Sequence, residues 1–170
     1  MTTLAHVSVG YMTYLSIVNI TGADPNGLML VSLVGANAPD FDILSGKGLT
    51  KHRESWLHAP VFWIAAYLIS IMLNRIIMFS YLYVHVFFIN VFIHMVLDWF
   101  SGRAAGVRIF YPFSKKDYTL YKFKAELDKN GVVSKVSYLD MFKSYLENKL
   151  LVIVEWGLVF AGLALAFVNG

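Results

Sequence analysis

Apolar residues run along this chain in long blocks broken by short polar stretches. Residues 59–73, 76–97 and 150–168 are almost wholly apolar, each at or near the roughly 20 residues that carry a helix across a bilayer core. Asn74 and Arg75 separate the first two blocks and predict a tight turn there, while Glu155 interrupts the third. Residues 4–19 are apolar with Ser, Thr, Tyr and Gly interspersed and predict a first helix. TGADPNG at 21–27 is a turn signal, and a short second helix over 28–38 runs into Pro39. After the polar loop DFDILSGKGLTKHRES, helices are predicted over 57–73 and 76–100, and a last one over 150–168.

Residues 101–149 are the one extended polar region. Within it, Asn130–Gly131 between two partly alternating runs suggests a β-hairpin. SYLDMFKSYLENK at 137–149 reads as an amphipathic helix lying along lipid headgroups. The plainer alternative for the whole stretch is a solvated basic loop. The expected fold is therefore all-α: a polytopic membrane bundle of about four to five helices, one domain over 1–170, with 101–149 as a small polar insertion before the last helix.

Composition agrees. The chain is 58% hydrophobic and only 15% charged, against about 25% charged residues in soluble domains. Cysteine is absent, which excludes disulfides, thiolate metal sites and cysteine nucleophiles; any metal must be held by histidine, carboxylate or water. The first twenty residues lack a basic n-region and a small-residue cleavage motif, so no removable signal peptide is expected.

The net charge of +3 matters less than where it sits. Residues 101–149 carry ten Lys or Arg against five Asp or Glu, which places them in the cytoplasm by the positive-inside rule. Working backwards, the 39–56 loop with Lys47, Lys51 and Arg53 is cytoplasmic, the 20–27 turn external and Met1 internal. Five crossings result, the second of them short. Arg75 is on the opposite side and can snorkel to headgroups.

That topology gathers the ionisable residues of an otherwise apolar sequence. His6 begins the first helix, Asp40 and Asp42 follow the second, His52 and His58 precede the third, and His94 and Asp98 end the fourth. All seven land on one membrane face. Ionisable groups in membrane helices are costly unless they pair, bind a metal or face water. His94 and Asp98, one turn apart, share a helix face and suit a borderline cation; a local His–Asp hydrogen bond is the alternative. Asn90, a turn earlier, is a candidate supporting donor. His85 points to the opposite side and reads as a structural histidine bonded to a neighbouring helix. Asp40 and Asp42 in APDFD can aim at a cation or merely decorate a turn. In HRESWLH, Arg53 can bind phosphate bidentately and Glu54 can act as a base or pair with a basic group. A basic juxtamembrane loop on anionic lipid is the rival there, though it leaves the two histidines unexplained. Glu155 is expected to pair with a basic side chain near the membrane surface.

APDFD, then HRESWLH, then IHMVLD and a glycine-containing loop to YPFS resemble the bacterial and archaeal family of inner-membrane metal-dependent hydrolases, also described as LexA-binding. The resemblance spans residues 1–115. It implies that His6, Asp40, Asp42, His52, Arg53, His58, His94 and Asp98 are characteristic positions. One departure is that His52 and His58 are six apart where the family has five, which turns a helical side chain by about 100°. The ligand order is also similar to that of zinc-dependent phospholipase C and the related single-strand nucleases. Those enzymes add a His-x-x-x-Glu; no histidine follows Asp98 here, so a reduced one- or two-metal site is expected.

The sequence thus points to a multi-pass inner-membrane protein with a cytoplasm-facing divalent metal site. Zinc comes first, with manganese or magnesium as alternatives. The expected activity is hydrolysis of a phospholipid or lipid-linked phosphate, with His6, Asp40, Asp42, His52, His58, His94 and Asp98 as ligands and Arg53 and Glu54 as catalytic groups. The rival is a non-enzymatic anchor or regulator with a structural metal and a soluble cytoplasmic partner. Direct nucleic-acid binding is not expected. Transport ranks third, because the polar residues stop at one face.

Overall fold

The computed structural model describes residues 1–23, 26–45, 55–77, 80–101, 107–114, 116, 118–120, 143 and 145–169, the side chains of 42–45 excepted. Helix α1 spans Thr3–Thr21 and α2 Leu28–Asn37, continuing as a 3-10 segment over Ala38–Ser45. A 3-10 turn at Trp56–His58 leads into α3, Pro60–Ile77; α4 spans Tyr81–Ser101 and α5 Lys149–Asn169. The all-α expectation holds. Among the described residues the only β-type pairing is an isolated bridge between Val107 and Tyr118.

Three helices, α3, α4 and α5, are long and apolar enough to cross a membrane, and this is a membrane protein. Their outward side chains, among them Leu68, Met72, Phe160 and Phe167, are exposed, as lipid-facing positions are. Helix α1 has 19 residues but is not among these three, and α2 has only ten.

One element boundary needs correction. The turn expected at Asn74–Arg75 is absent: α3 runs through both residues to Ile77, and α4 begins only at Tyr81. Neither Asn nor Arg breaks a helix, and apolar residues on both sides let the turn continue. The hairpin expected around Asn130–Gly131 lies outside the described residues. Of the amphipathic helix expected at 137–149, the described Lys143 and residues 145–147 are helical.

Close helix contacts set the geometry. Helix α2 packs between α1 and α4, α1 also packs on α5, and α3 on α4. Small residues permit this, as in membrane bundles generally. A Cβ on Gly35 would stand 2.5 Å from the Phe87 carbonyl oxygen, and one on Gly10 would stand 2.8 Å from the Ala36 Cβ. Below the site, Asn90 Nδ2 donates to Ser32 Oγ at 2.8 Å, and Ser32 Oγ donates to the Gly10 carbonyl at 2.7 Å, tying α4 to α2 to α1. Asn90→Ala is expected to destabilise the protein by about 1 kcal/mol, within the range of interhelical hydrogen bonds in membranes. Equilibrium unfolding in mixed detergent would read it. No measurable loss would mean that helix packing alone fixes this register.

Candidate metal centre

Each donor is placed by its own local structure. Thr2 caps α1, its hydroxyl accepting the Ala5 N–H, and its own N–H donates to Glu155 Oε1 of α5. That anchoring sets His6, one turn on, against α4. At the end of α2, Pro39 lies in the 3-10 segment that presents Asp40. His58 closes a 3-10 turn capped by Ser55, whose Oγ accepts the Leu57 N–H at 3.0 Å. Trp63 Nε1 clamps the same turn by donating to the Leu57 carbonyl at 2.6 Å. His94 and Asp98 occupy the last two turns of α4.

These elements bring Asp40, His58, His94 and Asp98 together, with one donor atom from each within 4.8 Å of all the others. His58 Nε2 stands 3.3 Å from Asp40 Oδ1 and 3.6 Å from Asp98 Oδ2. His94 Nε2 stands 3.6 Å from Asp40 Oδ1 and 3.4 Å from Asp98 Oδ2. His58, His94 and Asp98 are fully buried, and Asp40 alone keeps exposed side-chain surface, at 14%.

Two observations support a cation site. The separations are too long for charge-assisted N–H···O bonds, which run about 2.7–2.9 Å. Donors 3.3–3.6 Å apart are spaced as neighbouring ligands of one cation are, at metal–ligand distances of about 2.0–2.2 Å. The second observation is the His94 tautomer. His94 Nδ1–H donates to the Ala36 carbonyl at 2.7 Å, because a carbonyl can only accept. Nε2 then faces two carboxylate oxygens, a position that a second ring proton or a shared metal cation would satisfy. A backbone carbonyl fixing the far nitrogen is the usual support of a metal-bound histidine. The donor set fits a divalent ion.

Asp40 sits beyond the end of α2. Burial raises its pKa, but the contact with His58 and the charge of His94 outweigh this and bring it down to about 2. It is therefore ionised, the form that ligates, at any ordinary pH.

His6 belongs to the other side of Asp98. Its Nε2 stands 3.5 Å from Asp98 Oδ1, the oxygen turned away from His58 and His94. Its ring stacks on that of His94 with centroids 3.8 Å apart and planes 17° from parallel. The Met1 α-nitrogen donates to the same Oδ1 at 2.6 Å and to Ser101 Oγ at 2.8 Å. His6 is buried, and neither of its ring nitrogens makes a hydrogen bond to a described residue.

Five of the seven expected ligands thus converge. The side chain of Asp42, and all of His52, Arg53 and Glu54, lie outside the described residues. Asn90 does not touch His94; it bonds Ser32 and the Val86 carbonyl, and the support of His94 comes from Ala36. A backbone carbonyl has no sequence signature, so nothing in the residue pattern marked it. Glu155 is buried against the start of α1 and accepts the Thr2 N–H. His85 fulfils its structural expectation, with Nδ1 2.9 Å from the Tyr67 hydroxyl of α3.

No curated protein and no solved structure gives a match to the chain. The family described as YdjM inner membrane protein matches residues 1–170, well beyond the stretch over which the motifs carried the resemblance. The motifs, the membrane helices and this family match agree: the chain belongs to the YdjM inner membrane protein family.

Proposed function

We propose that this protein is a phosphoesterase of the inner membrane, metal-dependent, with its site on the cytoplasmic face and a phospholipid or lipid-linked phosphate as substrate. The observation that carries the metal dependence is the set of donor separations around Asp40, His58, His94 and Asp98. Their mixed imidazole–carboxylate chemistry favours zinc over magnesium or manganese, which prefer octahedral oxygen sites.

A divalent ion held by these residues supplies Lewis-acid polarisation of a phosphoryl oxygen and acidifies water. The chain's own groups do the rest. Asp98 turns Oδ2 toward His58 and His94, where it would help hold the ion, while Oδ1 is held by His6 and the Met1 nitrogen, which fixes the carboxylate's orientation. In this proposal Arg53 neutralises charge on the phosphoryl group, and Glu54 or Asp42 accepts a proton from water. Asp40, the exposed member of the cluster, marks the side from which substrate reaches it. The basic 101–149 segment concentrates anionic lipid nearby.

One feature favours a second reading. Four protein donors already supply zinc's usual coordination number, and closed sites are structural more often than catalytic. A non-enzymatic regulator recruiting a soluble cytoplasmic partner would need no more than that. Metal analysis of the detergent-purified protein, with a screen of phosphodiester and phospholipid hydrolysis, separates the two. The hydrolase reading expects bound zinc, turnover, and loss of both in His94→Ala. Bound metal without turnover on any substrate favours the regulator. A wild-type protein that binds no divalent ion removes both.

A further inference from the structure

Beside the donor cluster lies an apolar groove of about 290 Å³ that presents no polar atom. Its walls are Pro60 at the start of α3, Met95, Val96 and Trp99 on α4, and Val107 with Ile109. Three of these are near sequence neighbours of the cluster. Pro60 is two residues beyond His58, Met95 follows His94, and Trp99 follows Asp98. One residue turns a helix by about 100°, so α4 presents donors on one face and the groove on the next. From Trp99 to Phe92, which also lines it, the groove follows α4 for roughly 10 Å at 1.5 Å per residue.

The outer wall is pinned in place. Val107 and Tyr118 exchange backbone hydrogen bonds at 2.8 and 3.0 Å, and the Leu120 N–H and Thr119 hydroxyl both donate to the Trp99 carbonyl. Residues 107–109 are thereby fastened to the end of α4, so the groove is more than the ordinary gap between two helices. Val96 and Trp99 are partly exposed on a membrane-spanning helix, which opens the groove toward hydrocarbon. Trp99 stands at the helix end, the depth at which tryptophan marks the headgroup boundary.

We infer that this groove holds one acyl chain of a phosphate-bearing lipid, with the lipid's phosphate directed at the donor cluster. The inference rests on the phosphoesterase reading and names how its substrate is held. A lipid tail leaving the bilayer for the groove gains little hydrophobic energy, since its surroundings were already apolar. What the groove contributes is position: a chain fixed along α4 places its headgroup at one depth and azimuth, the kind of placement that accelerates a reaction.

The test uses phosphatidic acid with a mid-chain diazirine, in phosphatidylcholine nanodiscs carrying the whole protein. Photolabelling is mapped by mass spectrometry. Adducts should concentrate on Met95, Val96, Trp99 and Ile109, well above the more exposed α5 positions Phe160 and Leu163. Val96→Trp, at a position 59% exposed and so safe for folding, should abolish groove adducts while leaving bound metal unchanged. Ile109→Trp should do the same from the opposite wall. Label spread evenly over α3, α4 and α5 would overturn the inference and show only annular lipid. The readout does not need turnover: groove labelling without hydrolysis sinks the enzyme reading alone, and hydrolysis with even labelling sinks the groove alone.

Discussion

Asp98→Asn is expected to weaken divalent metal binding by at least about 100-fold, more than the 10–100-fold that losing a supporting partner costs. The amide preserves the shape of the carboxylate and removes its charge. Asp98 Oδ2 is 3.4 Å from His94 Nε2 and 3.6 Å from His58 Nε2, while Oδ1 faces His6. Its two oxygens thus face both His6 and the cluster. A buried dication would be left with Asp40 as its one described anionic partner, and an uncompensated buried charge is the most expensive kind. The readout is thermal unfolding with and without zinc. Binding at 100 times Kd stabilises a folded protein by about 2.7 kcal/mol, so the wild type should show a clear zinc-dependent rise in Tm and the variant none at the same concentration. Comparing each protein with its own metal-free form removes the separate cost of disturbing the contact between Asp98 and the Met1 nitrogen. His85→Ala, at an exposed ring bonded to Tyr67, serves as the control and should keep the full rise. An Asp98→Asn protein that still responds to zinc like the wild type would place the ion elsewhere.

The pattern of the sequence carried the helices and the convergence of donors, because both follow from where polarity interrupts apolar runs. His6, Asp40, His58, His94 and Asp98 stand at the ends of alternating elements, and a bundle of antiparallel α1 to α4 must bring such ends together. The Asn74–Arg75 turn was misplaced for the same reason. Polarity marks a surface or an end equally well, and a helix facing lipid can carry two polar residues in its last turns. Three features were hidden. The separation of the Asp98 oxygens, one toward His6 and the other toward the cluster, depends on a rotamer. The Ala36 carbonyl that orients His94 is backbone. The meeting of Thr2 with Glu155 spans 153 residues and no local spacing foretells it.

Ala36 is also where packing and chemistry meet, and this gives the second large effect. It lies directly after Gly35, whose missing Cβ lets α2 approach the α4 backbone at Phe87, and against Gly10 of α1. Gly35→Ala would set a methyl 2.5 Å from the Phe87 oxygen and 3.1 Å from two of its backbone carbons. A rigid backbone cannot yield as a side-chain tip would, so α2 has to move off α4. Overpacking of this kind costs about 1–3 kcal/mol. The same displacement draws the Ala36 carbonyl away from His94 Nδ1, frees the ring to rotate, and should lower metal affinity by about 10–100-fold. Two readouts on one variant therefore move together: metal-free stability by unfolding in detergent, and zinc affinity by competition with a chelator. Gly157→Ala on α5, where nothing lies within 4 Å of the added methyl, should change neither. If Gly35→Ala lost stability but bound zinc as tightly as the wild type, the Ala36 carbonyl would be ruled out as the group that holds His94 to its metal. The tautomer argument for the site would fall with it, while the donor separations would still stand.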